Sequence, residues 1–270
     1  MQVKTNIILA TILCAGINRA MAQHAPASLP PAYVAGININ YVRSWDVMAP
    51  EKNTDNIHTS TPLYKAVMKT QYMDGLGRPI QMVIKQISPS GGDMVSPIVY
   101  DGYGREPIQF LPFVANHADE DLNTSDGLFK FNPFQQQASF YDNNNILNPL
   151  RGQDEQFFYN ETVLENAALN RVKENYAAGV SWAGEKRGVS IQYLVNSDHD
   201  SVRIWKPGSA VNASPITSNR FAKGTLYKFI TTGEDLKEVI EYKDKNNRLI
   251  LKKIQLSPSP GSAHIGWVCT

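Results

Sequence analysis

One short pattern recurs where the chain must reverse: an Asp, two variable residues, a Gly or Asn, and then an Arg. It opens at Asp74-Gly75-Leu76-Gly77-Arg78 and returns at Asp101-Gly102-Tyr103-Gly104-Arg105. A degenerate third copy is Asp244-Lys245-Asn246-Asn247-Arg248. Each copy stands between two runs rich in β-branched and aromatic residues, with a tyrosine shortly before it at Tyr72, Tyr100 and Tyr242. An Asp at the start of a type I turn accepts hydrogen bonds from amides two or three residues on. The residue three later must take positive φ, which Gly adopts freely and Asn tolerates. This is the chemistry of a hairpin loop with a bulge, and it commits the flanking runs to antiparallel strands. The copies are unevenly spaced, 27 residues from Asp74 to Asp101 and 143 from Asp101 to Asp244, so spacing alone does not support a regular solenoid.

The remaining segments agree with a mainly β fold of antiparallel hairpins and meanders, with one or two short helices. Residues 63–113 read as successive strands, and a meander closes the chain through TLYKFITT, LKEVIEYK and RLILKKIQL. Gly233-Glu234-Asp235 is the expected turn within that meander, and NSDHD the turn between GVSIQYLV and SVRIW. Asn132-Pro133 before FQQQASFY predicts a short helix capped by Asn with Pro at its first position. Leu164, Ala168, Val172 and Tyr176 lie one helical turn apart and allow a helix over 162–176. The Ala- and Pro-rich stretch at 23–37 reads as an extended, weakly structured leader, and Met48 to Pro62 as a loop. The expected divisions are thus 1–22, 23–37, a β domain over 38–160 and a second β-rich segment over 161–270, with a soft boundary near Asn160.

The first 22 residues carry a targeting signal. Lys4 precedes the apolar run Ile7 to Ile17, and Ala20-Met21-Ala22 supplies the small-residue cleavage pattern of a secretory signal peptide, placing the cut before Gln23. The apolar run is too short for a transmembrane helix, and Leu13 before Cys14 disfavours a lipid anchor. The expected location is the periplasm, the outer-membrane surface or the medium. Removing Lys4 and Arg19 leaves 24 basic against 25 acidic residues, so no cationic surplus invites nucleic acid. Two cysteines build no disulfide scaffold.

Chemistry-bearing motifs are sparse, and no cofactor or metal is expected. The glycine pairs 75/77 and 102/104 lack the third glycine of a dinucleotide loop, since Ile80 and Pro107 stand there. No GxSxG, HExxH, CxxC or P-loop occurs. His24, His58, His117, His199 and His264 are scattered, and solvated side chains account for them more cheaply than a metal site. Asp119, Asp121, Asn123 and Asp126 resemble a calcium loop, but Thr124 replaces the required Gly and Lys130 falls near the required Glu. Asp198 and Asp200 are explained by turn chemistry, and Asp200-Ser201-Val202 also looks like a bacterial O-glycosylation acceptor.

The stretch TQYMDGLGRPIQMVIKQISPSGGDMVSPIVYDGYGREPIQFLPF, from Thr70 to Phe113, resembles the uncharacterised N-terminal domain that precedes Rhs/YD-repeat arrays in secreted Bacteroidota proteins. Phe157 to Gly179 and Leu226 to Leu256 are similar to the segments that follow in the same proteins, so the likeness covers about 38–270. The resemblance implies a β-rich exported protein whose large versions continue into many more YD hairpins, and it implies no activity; the expected role is a non-enzymatic scaffold or plug whose partner is a downstream YD-repeat shell, with binding of a glycan or surface protein as the alternative. It supplies no catalytic residues. Of the three copies, only Tyr100-Asp101 is a literal Tyr-Asp pair. The apolar run Ala263 to Thr270 reads as the start of a strand without a closing turn, and the expectation is a truncated family member whose last strand lacks a partner.

Overall fold

The computed structural model describes residues 25–34, 36–117, 124–153, 155–210, 212–257 and 266–270. The expected signal peptide, Cys14, His24, Asp119, Asp121, Asn123 and His264 lie outside the described residues. The strands are β1 (Asn40–Val47), β2 (Ala66–Met73), β3 (Pro79–Ile84), β4 (Met94–Pro97), β5 (Ile108–Phe110), β6 (Phe113–Val114), β7 (Tyr159–Leu164) and β8 (Val172–Tyr176). They continue with β9 (Val189–Val195), β10 (Arg203–Lys206), β11 (Ile216–Arg220), β12 (Tyr227–Thr232), β13 (Glu238–Lys243), β14 (Leu249–Gln255) and β15 (Trp267–Cys269). The one α-helix among the described residues is α1 (Pro133–Phe140). The molecule is therefore mainly β.

Among the described residues three sheets form, antiparallel throughout. One runs β1-β2-β3-β4-β6, a second runs β15-β14-β13-β12-β9-β8-β7-β5, and β10 pairs with β11 alone. In β2 the side chains of Ala66, Met68, Thr70 and Tyr72 are buried while those between them are only half-buried, the period of two that a sheet with one covered face imposes. The chain crosses from the first sheet to the second between β4 and β5, where Ile98 and Gln109 form an isolated bridge. The Asp101–Arg105 turn sits at that corner. The soft boundary near Asn160 falls inside β7, and the eight-stranded sheet runs across it, because β5 takes β7 as its hydrogen-bonding neighbour.

The core between these layers is aromatic. Tyr72, Phe110, Phe113, Phe134, Phe157 and Tyr159 are among its buried members. Such rings bury much area and pack edge to face, as Phe110 does on Tyr159 at a centroid distance of 5.7 Å. A smaller core beneath the closing meander gathers Val202, Leu226, Ile240 and Tyr242, with Trp267 packed against it.

Five expectations need correction. Residues 162–176 form no helix: Thr162 pairs with Asn175 and Val163 with Glu174 in the β7–β8 hairpin. A spacing of four is also a multiple of two, so the apparent helical stripe is equally a strand pattern, and β5 and β9 supply the backbone partners that decide it. In α1 the Asn132 side chain caps no backbone amide and instead accepts from Gln136 Nε2 at 2.7 Å, while Pro133 does take the first helical position. The leader lacks regular structure but is docked: the Ala27 amide donates to Tyr159 Oη at 2.8 Å, the Tyr33 amide to the Phe131 carbonyl at 2.6 Å, and the Tyr33 ring packs on Phe129. NSDHD does not link a hairpin, since β9 pairs with β8 and β12 while β10 pairs with β11. At the other end of the chain, β15 has a partner after all: it pairs with β14, and among the described residues no further strand pairs with it.

Candidate interaction site

The recurring turns share one geometry, atom for atom. In the first, the Asp74 amide donates to the Arg78 carbonyl at 2.9 Å and the Gly77 amide to the Asp74 carbonyl at 3.0 Å. Asp74 Oδ1 accepts from the amides of Leu76 and Arg78, each at 2.9 Å, and Oδ2 accepts from Arg78 Nε at 2.8 Å. The second turn repeats this through Tyr103, Arg105 and Asp101. The third repeats it through Asn246, Arg248 and Asp244. Gly77, Gly104 and Asn247 take φ of 77°, 75° and 62°. A β-branched side chain at either glycine would cost about 1–2 kcal/mol in left-handed strain, and at Gly104 a Cβ would also sit 3.1 Å from Arg78 Nη1. The carboxylates are held below their ordinary range, Asp74 chiefly by the Arg78 amide, Asp101 by the Arg105 guanidinium and Asp244 by the Arg248 amide.

Two further turns belong to the set. Glu165 and Arg171 close the β7–β8 loop: the Glu165 amide donates to the Arg171 carbonyl at 2.9 Å, and Arg171 Nη2 meets Glu165 Oε2 at 2.8 Å. Asn170 has φ 49°. At Gly233–Lys237 the same two backbone bonds form, with Leu236 at φ 62°. The sequence pattern misses the first because its acid is Glu and stands six residues before the Arg rather than four. The dipeptide Asn170-Arg171, matching Asn247-Arg248, was the available signal. The second, expected from sequence as a turn, has Gly233 in place of the leading acid and Lys237 in place of the arginine, so its kinship with the set shows only in its backbone bonds.

The arginines reach beyond their own turns. Arg78 lies over the Tyr100 ring, 4.5 Å from guanidinium carbon to centroid, and Tyr100 Oη donates to the Pro79 carbonyl at 2.9 Å. Arg171 lies over Tyr193 at 4.6 Å, and Tyr193 Oη donates to the Val172 carbonyl at 3.0 Å. In both cases the tyrosine follows the accepting carbonyl by 21 residues. Arg105 joins the second turn to the Glu165–Arg171 turn, donating through Nη1 to the Glu165 carbonyl at 3.0 Å and to Asn170 Oδ1 at 3.2 Å. Each guanidinium thus meets its own carboxylate and the next element together, through its flat face in Arg78 and Arg171 and through spare donors in Arg105. An apolar cleft of about 730 Å³ opens beside the first clamp, lined by Asp74, Arg78, Ile80 and Tyr100 and by leader residues Tyr33 and Ile37.

The residues flagged for metal chemistry are engaged otherwise. Asp126 Oδ1 accepts from Lys130 Nζ at 3.1 Å, and Lys130, fully buried, also meets fully buried Asp93 Oδ2 at 2.9 Å, so a fixed cation holds these acids. Asp200 is no exposed tip: Oδ1 accepts from Lys228 Nζ at 2.6 Å and Tyr242 Oη at 2.8 Å, and Oδ2 from the Ser197 amide at 2.7 Å. Burial opposes its ionisation, but Lys228, the Ser197 amide and Tyr242 together outweigh it and hold the carboxyl at about 2. Since the folded value lies below the unfolded one, the stability Asp200 contributes is present above about pH 4 and is lost as pH falls toward about 2. Acid denaturation of Asp200→Asn should therefore show a shallower loss across that interval than the parent chain, read by far-UV circular dichroism; equal slopes would contradict the assignment. Ser201 has φ 52°, and its Oγ accepts from Arg220 Nη1 at 3.0 Å. His58 Nδ1 lies 2.8 Å from Ser60 Oγ. Among the described residues no three His, Cys, Asp or Glu side chains are grouped to hold a metal ion, and no helix is long and apolar enough to cross a membrane.

The first two turns, the Glu165–Arg171 turn and both arginine–tyrosine clamps all lie within residues 43–195, and that span matches a family described as a domain of unknown function, DUF6443. The chain belongs to the DUF6443 family. The match begins in β1 and ends with β9, so the Asp244–Arg248 turn lies beyond it. No curated protein and no solved structure matches the chain.

Proposed function

We propose that this DUF6443 protein is a non-enzymatic, exported scaffold that begins an Rhs/YD-repeat shell on the surface of a Bacteroidota cell. One observation carries the reading: hairpins stand side by side in one eight-stranded sheet, the Asp101–Arg105 and Glu165–Arg171 turns lock onto the next element through their arginines, and among the described residues the last strand pairs on one side. A sheet edge with unpaired amides is a template for further strands, which suits a module that starts an array. The charged, apolar and small-residue order of the first 22 residues supports export. The test is made on protein from the native host. N-terminal sequencing should give a chain starting at Gln23, and protease added to intact cells should digest it. Intact Met1 recovered from the cytosol would overturn export, and with it this role.

A further inference from the structure

We propose that β1 pairs antiparallel with β1 of a second copy of this chain, about a two-fold axis at Ser44, joining two five-stranded sheets into one. This goes beyond the scaffold reading and does not rest on it.

Of the sheet margins among the described residues, β1 is the long and regular one. β5 and β15 have three residues each, β6 has two, and the β10–β11 pair is interrupted by a register shift between Ile204 and Trp205. β1 has eight residues in unbroken register with β2, and no Pro, Lys or bulge blunts it. Its two charges turn back on their own sheet. Arg43 Nε donates to Thr70 Oγ1 at 3.1 Å with its guanidinium over the Tyr41 ring, and Asp46 is paired with Lys69. Tyr41, Val42, Val47 and Met48 are each more than half exposed, so both faces of this margin leave apolar side chains to water.

Backbone direction makes the margin self-complementary. The Met48 amide donates to the Lys65 carbonyl at 2.7 Å, and the Lys85 amide to the Met68 carbonyl at 3.0 Å. By alternation, Asn40, Val42, Ser44 and Asp46 bond to β2, while the N–H and C=O groups of Tyr41, Arg43, Trp45 and Val47 point away from it. Among the described residues no other backbone bonds to these four. They are symmetric about Ser44, so a two-fold axis there uses them all. Tyr41 then faces Val47 and Arg43 faces Trp45, each pair formed twice, and aromatic against β-branched and guanidinium against indole are favourable cross-strand neighbours. Ser44 faces itself, and Asp46 faces Val42. An axis at Arg43 would set guanidinium against guanidinium, and one at Trp45 would leave Tyr41 facing Ala49, beyond the end of β1. A foreign peptide would need a matching sequence; a second copy carries it already.

The experiment uses the full chain with Cys14→Ser and Cys269→Ser, which removes both native thiols. Sedimentation across micromolar to submillimolar concentrations should show a reversible monomer–dimer equilibrium. Adding Ser44→Cys should give a disulfide-linked dimer on mild oxidation, because directly opposed residues that exchange no hydrogen bonds lie about 4.5 Å apart at Cα. Ser44→Glu and Ser44→Lys each set like charges on the axis and should weaken the dimer about tenfold or more, whereas an equimolar mixture of the two should restore it. Ser44 is exposed, so the far-UV circular dichroism of both variants, read at dilutions where the parent is monomeric, should match the parent. A monomer at every concentration, or a dimer indifferent to both charges, would overturn the proposal; a different occupant of β1 reads as the first result and an interface elsewhere as the second.

Discussion

Asp93→Ala should cost about 3–5 kcal/mol of folding stability, measured by urea denaturation, because it leaves a buried ammonium without its buried counterion. Asp93 and Lys130 are both fully buried, with Nζ 2.9 Å from Oδ2. The same carboxylate accepts from the Gln86 amide at 2.9 Å and the Gly127 amide at 2.8 Å, so its removal orphans two backbone donors as well. Asp126 keeps one contact to Lys130 but is itself one-third exposed and cannot replace a dry partner. The segment carrying Lys130 is pinned by Gln81, which donates Nε2 to the Lys130 carbonyl at 3.0 Å and accepts its amide at 2.8 Å, so the ammonium has no easy route to water. Lys130→Met, which removes the charge and keeps the bulk, should be milder than Asp93→Ala. A loss below about 1 kcal/mol for Asp93→Ala would show that Lys130 reaches solvent in the variant and that the pair is not the lock described.

Phe134→Ala should be of similar size, about 3–5 kcal/mol from lost burial and the cavity left behind, and it should also free the leader. Phe134 is 1% exposed at the start of α1, with its ring 5.4 Å from Phe110 of the second sheet and 6.4 Å from Tyr33 of the leader. Without it Tyr33 keeps Phe129 and its backbone bond to Phe131, while one wall of its socket is gone. Chymotrypsin should then cut after Tyr33 faster than in the parent chain under conditions where both remain folded. An unchanged cleavage rate together with a cost under about 1 kcal/mol would mean that the leader is held by its hydrogen bonds and that the core repacks over the gap.

The arginine turns tie together the elements around the crossover between the sheets. A short acid, a residue at positive φ and an arginine form a closed unit whose carboxylate is fully used before any neighbour arrives. The guanidinium still has donors to spare. That surplus ties Arg105 to the Glu165–Arg171 turn, while the flat face of the Arg78 guanidinium rests on the Tyr100 ring, both beside the point where the chain leaves one sheet for the other. Single exposed ion pairs contribute little; here the arginine acts as a geometric fastener.

What the sequence determined by itself were the features encoded within a few residues. The positive φ of Gly77, Gly104 and Asn247 follows from the only residue types that adopt it cheaply, Pro133 at the head of α1 from its missing amide, and the mainly β class from runs bounded by turn residues. Tertiary structure decided whatever depends on partners distant along the chain. Residues 162–176 became strands because β5 and β9 stood ready to pair with them, and the leader found a binding site in Tyr159, which lies 132 residues from Ala27. Asp200 became a half-buried hub through Lys228 and Tyr242, 28 and 42 residues away. The clamps belong to the same class: Arg171 is legible as a turn residue, but Tyr193 reaches it only once β8 and β9 are in register. Local conformational preference is a property of a few adjacent residues, whereas pairing and burial are properties of the folded chain, where one residue's neighbours are set by all the others.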